Sequence, residues 1–209
     1  MPRHDEDATP WVDGLNIGQV LHETARKYPA RDALVFPLSN TFRSWSQFED
    51  DVNAAARGLL ALGIGKGEHV AIWATNVPEW VTLQFATASI GAVLVNINPA
   101  YRPHELKYVL KQSDSVALFL VDKFKSSDYF AMLAEVCPEI AAAKDGEVHA
   151  ADYPKLRRII TVKGEPPTGL LTWQQMLGRG KSVPQSRVDE IAATLQPGEP
   201  INIQYTSGT

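Results

Sequence analysis

Two short runs, Ala92 to Ile97 and Ser115 to Val121, read as continuous apolar strands with no polar alternation. A strand that is apolar on both sides must be covered on both, and the usual solution is a parallel sheet with helices on each face. The segment between the runs has helical spacing. Pro103 stands near its first turn, and Leu106, Val109 and Leu110 share one side. His69 to Ala74 is an earlier strand, with Trp73 large enough to need cover. Pro78 then begins a helix whose Trp80, Leu83, Gln84, Thr87 and Ala88 share a face, and Gly91 ends it. A helix from about Ser127 to Cys137 is closed by Pro138, and Arg158 to Val162 is a further strand. This alternation predicts an α/β fold: a doubly wound, mostly parallel sheet flanked by helices.

The flanks fit around that centre. Residues 1–14 read as a loose leader, and residues 15–209 as the N-terminal part of a domain that ends inside the loop at Thr206 to Thr209. Asn16 is placed to cap a helix with Ile17, Val20, Leu21, Thr24, Ala25 and Tyr28 on one face, stopped at Pro29. Ala33–Phe36 and Thr41–Trp45 read as a hairpin around P-L-S-N. Ser44 and Gln47 have capping-box spacing, and Phe48, Val52, Ala55, Ala56, Leu59 and Leu60 point inward from the helix that follows. The run L-G-I-G-K-G follows a helix and precedes a strand. A dinucleotide fingerprint needs the reverse order, so it reads as a helix C-cap and a tight turn. Residues 141–154 show little periodicity and read as an irregular connection. Short helices are expected near Trp173–Leu177 and Val188–Leu195.

Composition narrows the function classes. The net charge of −4 argues against nucleic acid or an anionic membrane as the main partner. Cys137 is the only cysteine, which rules out an internal disulfide and fits a reducing, cytoplasmic setting. The acidic start, M-P-R-H-D-E-D, has no apolar core of the kind a signal peptide carries. The most apolar window, Val81 to Val95, is interrupted by Thr82, Gln84, Thr87, Ser89 and Gly91, so no transmembrane segment is expected. The histidines have no metal-ligand spacing, and no metal ligand is assigned.

The last ten residues, P-I-N-I-Q-Y-T-S-G-T, carry the chemistry. Ile201, Ile203 and Tyr205 alternate with Asn202 and Gln204, the period of a strand. Thr206, Ser207, Gly208 and Thr209 then supply three hydroxyls and a glycine without bulk. Glycine admits close approach of the backbone, successive N–H groups can converge, and hydroxyls can bond phosphate oxygens or the water shell of a metal. In open α/β sheets, ligands sit beyond the carboxyl ends of strands, and this loop occupies such a position.

These residues resemble the adenylate-forming superfamily of acyl-CoA synthetases, luciferases and peptide-synthetase adenylation domains. Q-Y-T-S-G-T resembles the start of its phosphate loop, which continues in the family as T-G-x-P-K-G. F-R-S-W-S-Q-F (Phe42 to Phe48) resembles the early T-Y-x-E-L motif. G-E-H-V-A-I-W-A-T-N-V-P-E-W (Gly67 to Trp80) resembles the G-D-x-V-A-I-x-x-x-N-x-x-E-W block. S-I-G-A-V-L-V-N-I-N-P-A-Y (Ser89 to Tyr101) and H-E-L-K-Y-V-L (His104 to Leu110) resemble the two segments that follow. The N-P-A-Y turn and the terminal stretch look most like the medium-chain fatty acyl-CoA synthetase branch.

The resemblance implies an N-terminal portion of an ATP-dependent fatty acid–CoA ligase, with ATP, Mg²⁺ and coenzyme A as cofactors and a fatty acid as substrate. It gives the hydroxyls of Thr206, Ser207 and Thr209 contacts to ATP phosphates or the Mg²⁺ shell, and Gly208 the role of permitting close approach. Tyr205 packs beneath the loop, and Trp80, Phe85 and Tyr101 read as core rather than acyl contacts. The family's loop lysine, adenine and ribose contacts and C-terminal catalytic lysine match no position up to Thr209. The expectation is therefore that the 209 residues do not activate fatty acids alone. Self-association, or pairing with a separate C-terminal half, is the expected partner behaviour. The rival reading is a non-catalytic truncated or split-gene α/β module acting by binding.

Overall fold

The computed structural model describes residues 14–205. The expected leader, apart from Gly14, and the phosphate-loop candidates Thr206, Ser207, Gly208 and Thr209 lie outside the described residues.

Helix α1 (Ile17–Lys27) starts on a reciprocal cap. The Gln19 N–H donates to Asn16 Oδ1 and the Asn16 N–H donates to Gln19 Oε1, both at 2.9 Å. Two orphan donors of the first turn are thereby satisfied. Strands β1 (Asp32–Phe36) and β2 (Thr41–Ser44) form the expected antiparallel hairpin around a 3-10 turn at Pro37–Ser39. Ser44 and Gln47 form the expected capping box of α2 (Trp45–Ala61). Phe48, Val52, Ala55, Ala56 and Leu59 are buried along α2, whereas Leu60 is only half-buried. Gly58 is also buried on α2, where Met176 of a second helix sits against it. Gly63 and Gly67 both have φ above +70°, so the glycine run is the helix end and turn that its place in the chain predicts.

The main sheet holds six parallel strands in the order β10–β4–β3–β5–β8–β9. They are β3 (His69–Trp73), β4 (Val93–Ile97), β5 (Ala117–Val121), β8 (Arg158–Lys163), β9 (Leu171–Thr172) and β10 (Asn202–Gln204). Helix α3 (Pro78–Ser89) links β3 to β4, and α4 (Pro103–Ser113) links β4 back across β3 to β5. Helices α6 (Trp173–Gly180) and α7 (Gln185–Ala192) pack with α1, α2 and α3 on one side. The other side carries α4 and α5 (Tyr129–Val136). The sheet is thus wound on both faces. Val93 and Val95 are buried, as a two-sided cover requires, and β5 is buried along its whole length.

Three features correct or add to the sequence reading. The run Ala92–Ile97 is not wholly apolar: Asn96 stands within it and is partly buried. A two-residue hairpin, β6 (Lys123–Phe124) with β7 (Ser127–Asp128), precedes α5, which starts at Tyr129 rather than at Ser127. Residues 143–156 lack helix or strand yet are anchored by buried Val148, Ala150, Tyr153 and Leu156.

Candidate functional site

Strand order reverses between β3 and β5, with β4 on one side and β5 on the other. That reversal opens a crevice at the carboxyl ends, where doubly wound folds place ligands. Here the inner crevice is filled by the protein itself. Tyr129, the first residue of α5, lies flat on Trp73, the last residue of β3, with ring centroids 4.1 Å apart and planes 6° apart. Both side chains are fully buried. The Tyr129 hydroxyl donates to the Pro99 carbonyl oxygen at 2.8 Å, tying α5 to the turn after β4. Burial pushes the Tyr129 phenol up, so it holds its proton and remains a donor. Arg102 Nη1 donates to Ser127 Oγ at 3.0 Å and closes the rim. Sequence gives Trp73 a need for cover; it does not say that the cover is Tyr129.

The second place at the same end is the β4–β10 pair. Asn202 sits opposite Leu94, Ile203 opposite Val95 and Gln204 opposite Asn96. Partners in register share a face, so Asn96, Asn202 and Gln204 line the side under α3. Asn202 Nδ2 reaches Gln84 Oε1 on α3 at 3.5 Å. Both amide atoms of Asn96, and Nε2 of Gln84, are buried without a partner among the described residues. The opposite face carries Ile203 and Tyr205, which pack against the core beside Tyr101. Desolvation first, and then the phenols of Tyr108 and Tyr101, raise the Tyr205 pKa. The end of β10 therefore has carboxamides on one side and phenols on the other. Tyr205 is packing, as the sequence reading has it. Asn96 is the residue that reading missed, and the signal was present: a polar side chain inside an otherwise apolar buried strand.

An open pocket lies at the carboxyl ends of β5 and β8, between the β6–β7 hairpin and residues Glu165 to Pro167. Lys123 and Lys125 face Asp122, Asp128 and Glu165 there, so the lining has no dominant charge. Trp80, Phe85 and Tyr101 are partly buried against the core, and Phe85 meets Phe48 edge-on at 5.2 Å. His22 pairs with Glu49 at 2.7 Å, and His69 Nδ1 lies 2.6 Å from the Ser113 carbonyl oxygen. Among the described residues, no three His, Cys, Asp or Glu side chains come together in a way that could hold a metal.

The profile of a family described as AMP-binding enzyme matches residues 21–209. The Bacillus subtilis (strain 168) protein YngI is 42% identical over 193 residues, covering 92% of this chain and 35% of that protein. The human protein named medium-chain acyl-CoA ligase ACSF2, mitochondrial, is 36% identical over 201 residues, covering 95% of this chain and 32% of that one. Among solved structures, the inhibitor-bound N-terminal domain of FACL13 from Mycobacterium tuberculosis superposes with a TM-score of 0.66 at 28% identity. It covers 93% of this chain and 42% of that chain. The anthranilate CoA ligase AuaEII in complex with anthranoyl-AMP superposes at 0.70 with 20% identity, covering 93% of this chain and 33% of that one, which speaks to the fold. The chain spans about a third of the length of the curated relatives it matches.

Proposed function

The chain belongs to the AMP-binding enzyme family, and from that membership we propose that it forms the N-terminal portion of an ATP-dependent fatty acid–CoA ligase. The whole enzyme would join a carboxylate to AMP with loss of pyrophosphate, then pass the acyl group to the thiol of coenzyme A. The observation that carries the reading is the placement of β10. It runs parallel to β4 at one edge of the sheet, so Thr206 to Thr209 follow its carboxyl end. Relatives named medium-chain acyl-CoA ligase support a fatty acid of that class as substrate.

Within this reading the hydroxyls of Thr206, Ser207 and Thr209 face the phosphates of ATP, and Gly208 admits them close to the backbone. Their work is electrostatic. Neutralising charge on the triphosphate lets the carboxylate approach in line with the phosphorus. Mg²⁺ fits as an ion carried on the phosphates with its own waters, because hydroxyl oxygens and substrate phosphates suit it without a protein carboxylate cage. Asn96 of β4 lies in register with Gln204 of β10, and Tyr205 packs against the core just before the T-S-G-T segment. Among the described residues no helix is long and apolar enough to cross a membrane. Cys137 is a buried free thiol, which fits a reducing compartment; a cytoplasmic location is part of the proposal, and ACSF2 is named as mitochondrial.

The test is fatty-acid-dependent ATP–pyrophosphate exchange by the complete protein. Ser207→Ala should lower kcat by roughly 100-fold, the effect of removing one donor to developing charge, with the unfolding midpoint unchanged. Exchange that responds to no fatty acid would overturn the substrate class. Exchange that is indifferent to Ser207→Ala would remove that residue from the site.

A further inference from the structure

Three turns from distant parts of the chain meet at the amino ends of β3, β4 and β10. One carries Lys66 between α2 and β3, one carries Gly91 between α3 and β4, and the third runs from Leu195 to Glu199 ahead of β10. Gly91 has φ +70°, and a Cβ built on it would lie 2.7 Å from Leu195 Cδ2 and 2.9 Å from Lys66 Cγ. The space of a side chain at residue 91 is thus filled by buried Leu195 and by the stem of Lys66. The Gly67 N–H donates to the Gly91 carbonyl oxygen at 2.8 Å, joining the first two turns. Lys66 Nζ goes on to donate to Glu199 Oε1 at 2.6 Å, joining the third. Pro197 and Pro200 stiffen the turn that holds Glu199, and the Glu199 N–H donates to the Gln196 carbonyl oxygen at 3.1 Å. Each of these contacts is made between described residues of this chain, so the node needs no outside occupant.

We propose that Lys66 and Leu195, meeting over Gly91, are positioning residues that clamp β10 in register with β4. β10 makes only three registered pairs. So short a ladder specifies its register weakly, and a slip of one residue would turn Ile203 to the face that now carries Asn202 and Gln204. Only Pro200 and Ile201 separate Glu199 from the strand, so holding Leu195 and Glu199 fixes the residue at which pairing begins. The Leu94 N–H accordingly meets the Ile201 carbonyl oxygen at 2.9 Å. Lysine suits the position because its stem packs across Gly91 while its ammonium reaches the carboxylate. The ion pair is partly exposed and weak alone; the clamp combines it with the apolar contact of Leu195. That the clamped strand serves ATP rests on the reading given above, whereas the clamp itself does not.

The experiment is amide hydrogen exchange of the complete protein, read at Asn202 to Gln204 and at β5. Lys66→Gln and Glu199→Gln should each speed exchange at Asn202 to Gln204 by about two- to fivefold, the range for one partly exposed ion pair, and leave β5 unchanged. The double variant should exchange no faster than either single one, because both remove the same contact. Gly91→Ala should speed exchange there by about tenfold, since the new Cβ displaces Leu195 and Lys66. Gly63→Ala is its control: Gly63 has φ +74° with nothing within 4 Å of an added Cβ, so the variant carries like backbone strain without the crowding. It should not favour β10 over β5. ATP with Mg²⁺ at about ten times its dissociation constant should slow exchange at Asn202 to Gln204 by about tenfold, since it binds only the docked strand. A wild type that ATP does not slow, with the variants as expected, overturns the ATP reading and upholds the clamp. The clamp is overturned by unchanged exchange in Lys66→Gln and Gly91→Ala, or by a rise at β5 equal to that at Asn202 to Gln204. Additive effects in the double variant, or Gly63→Ala matching Gly91→Ala, also overturn it.

Discussion

Gly180, at the end of α6, faces Gly58 on α2 so closely that a Cβ built on Gly180 would lie 2.6 Å from the Gly58 backbone nitrogen. A backbone nitrogen in the middle of a helix cannot swing aside. Gly180→Ala should therefore destabilise the chain by about 1–3 kcal/mol, the range for overpacking, outweighing the ~1 kcal/mol that alanine gains over glycine in a helix. Gly178, on the same helix, has nothing within 4 Å of its added Cβ. Gly178→Ala should raise stability by about 0.5–1 kcal/mol. Urea midpoints of the two variants should move in opposite directions.

The Trp73–Tyr129 stack gives a second expectation. Tyr129→Phe keeps the ring on the indole and removes only the bond to the Pro99 carbonyl, which is at an exposed residue and can find water. The loss should be about 1 kcal/mol. Tyr129→Ala also removes the buried ring and should cost about 3–5 kcal/mol. Similar midpoints for the two variants would mean that the stack contributes little.

Asn96 provides a test of the opposite sign. Its buried carboxamide has no partner among the described residues. Replacing an orphaned polar group by an apolar one of similar size removes a desolvation cost of roughly 1–3 kcal/mol. Asn96→Val should leave the unfolding midpoint of the 209-residue chain unchanged or raise it. A fall of more than about 1 kcal/mol would show that the amide is satisfied.

Alkaline pH should weaken the fold. Burial first, and then the neighbouring Glu139 carboxylate, push the Cys137 thiol up to about 12. Burial, and then the charge of Asp152, push the Tyr153 phenol up to about 12. Both groups keep their protons to higher pH when folded. The unfolded chain releases them from about pH 8.5 for a thiol and about 10 for a phenol. Over that range the unfolded state binds fewer protons, so stability is full below pH ~8.5 and declines as pH rises towards 12. Urea midpoints from pH 7 to 11 report the decline. At pH 8, Cys137 should react with Ellman's reagent only after unfolding, because it is fully buried and protonated.

The sequence carried the fold where burial leaves a periodic trace. The strands β3, β4, β5 and β8, the helices between them, the Asn16 cap and the Ser44–Gln47 capping box were legible because caps and apolar spacing are local signals. The two-residue pieces β6, β7 and β9 were not, since a pair of residues has no period. Strand order was also silent: apolarity says that β4 is buried, not that β10 lies beside it. Gly58 reads in sequence as one more small residue in a helix, and only the arrival of α6 shows why it is small. At the site, Tyr205 as packing was readable, whereas the orphaned amide of Asn96 exists only once three strands are assembled.

The pairing of β10 with β4 joins residues roughly a hundred positions apart in the chain, while β3 meets β4 through the single helix α3 and meets β5 only about fifty positions on. Closing so long a loop is slow compared with forming those local units. The strand that leads into the T-S-G-T loop should thus be the last to dock and the first to leave. Held by only three registered pairs, it can detach as a small cooperative unit while the rest of the sheet persists. Amide protons of Asn202 to Gln204 would then exchange with solvent well before those of β5, which is buried along its whole length between two neighbouring strands.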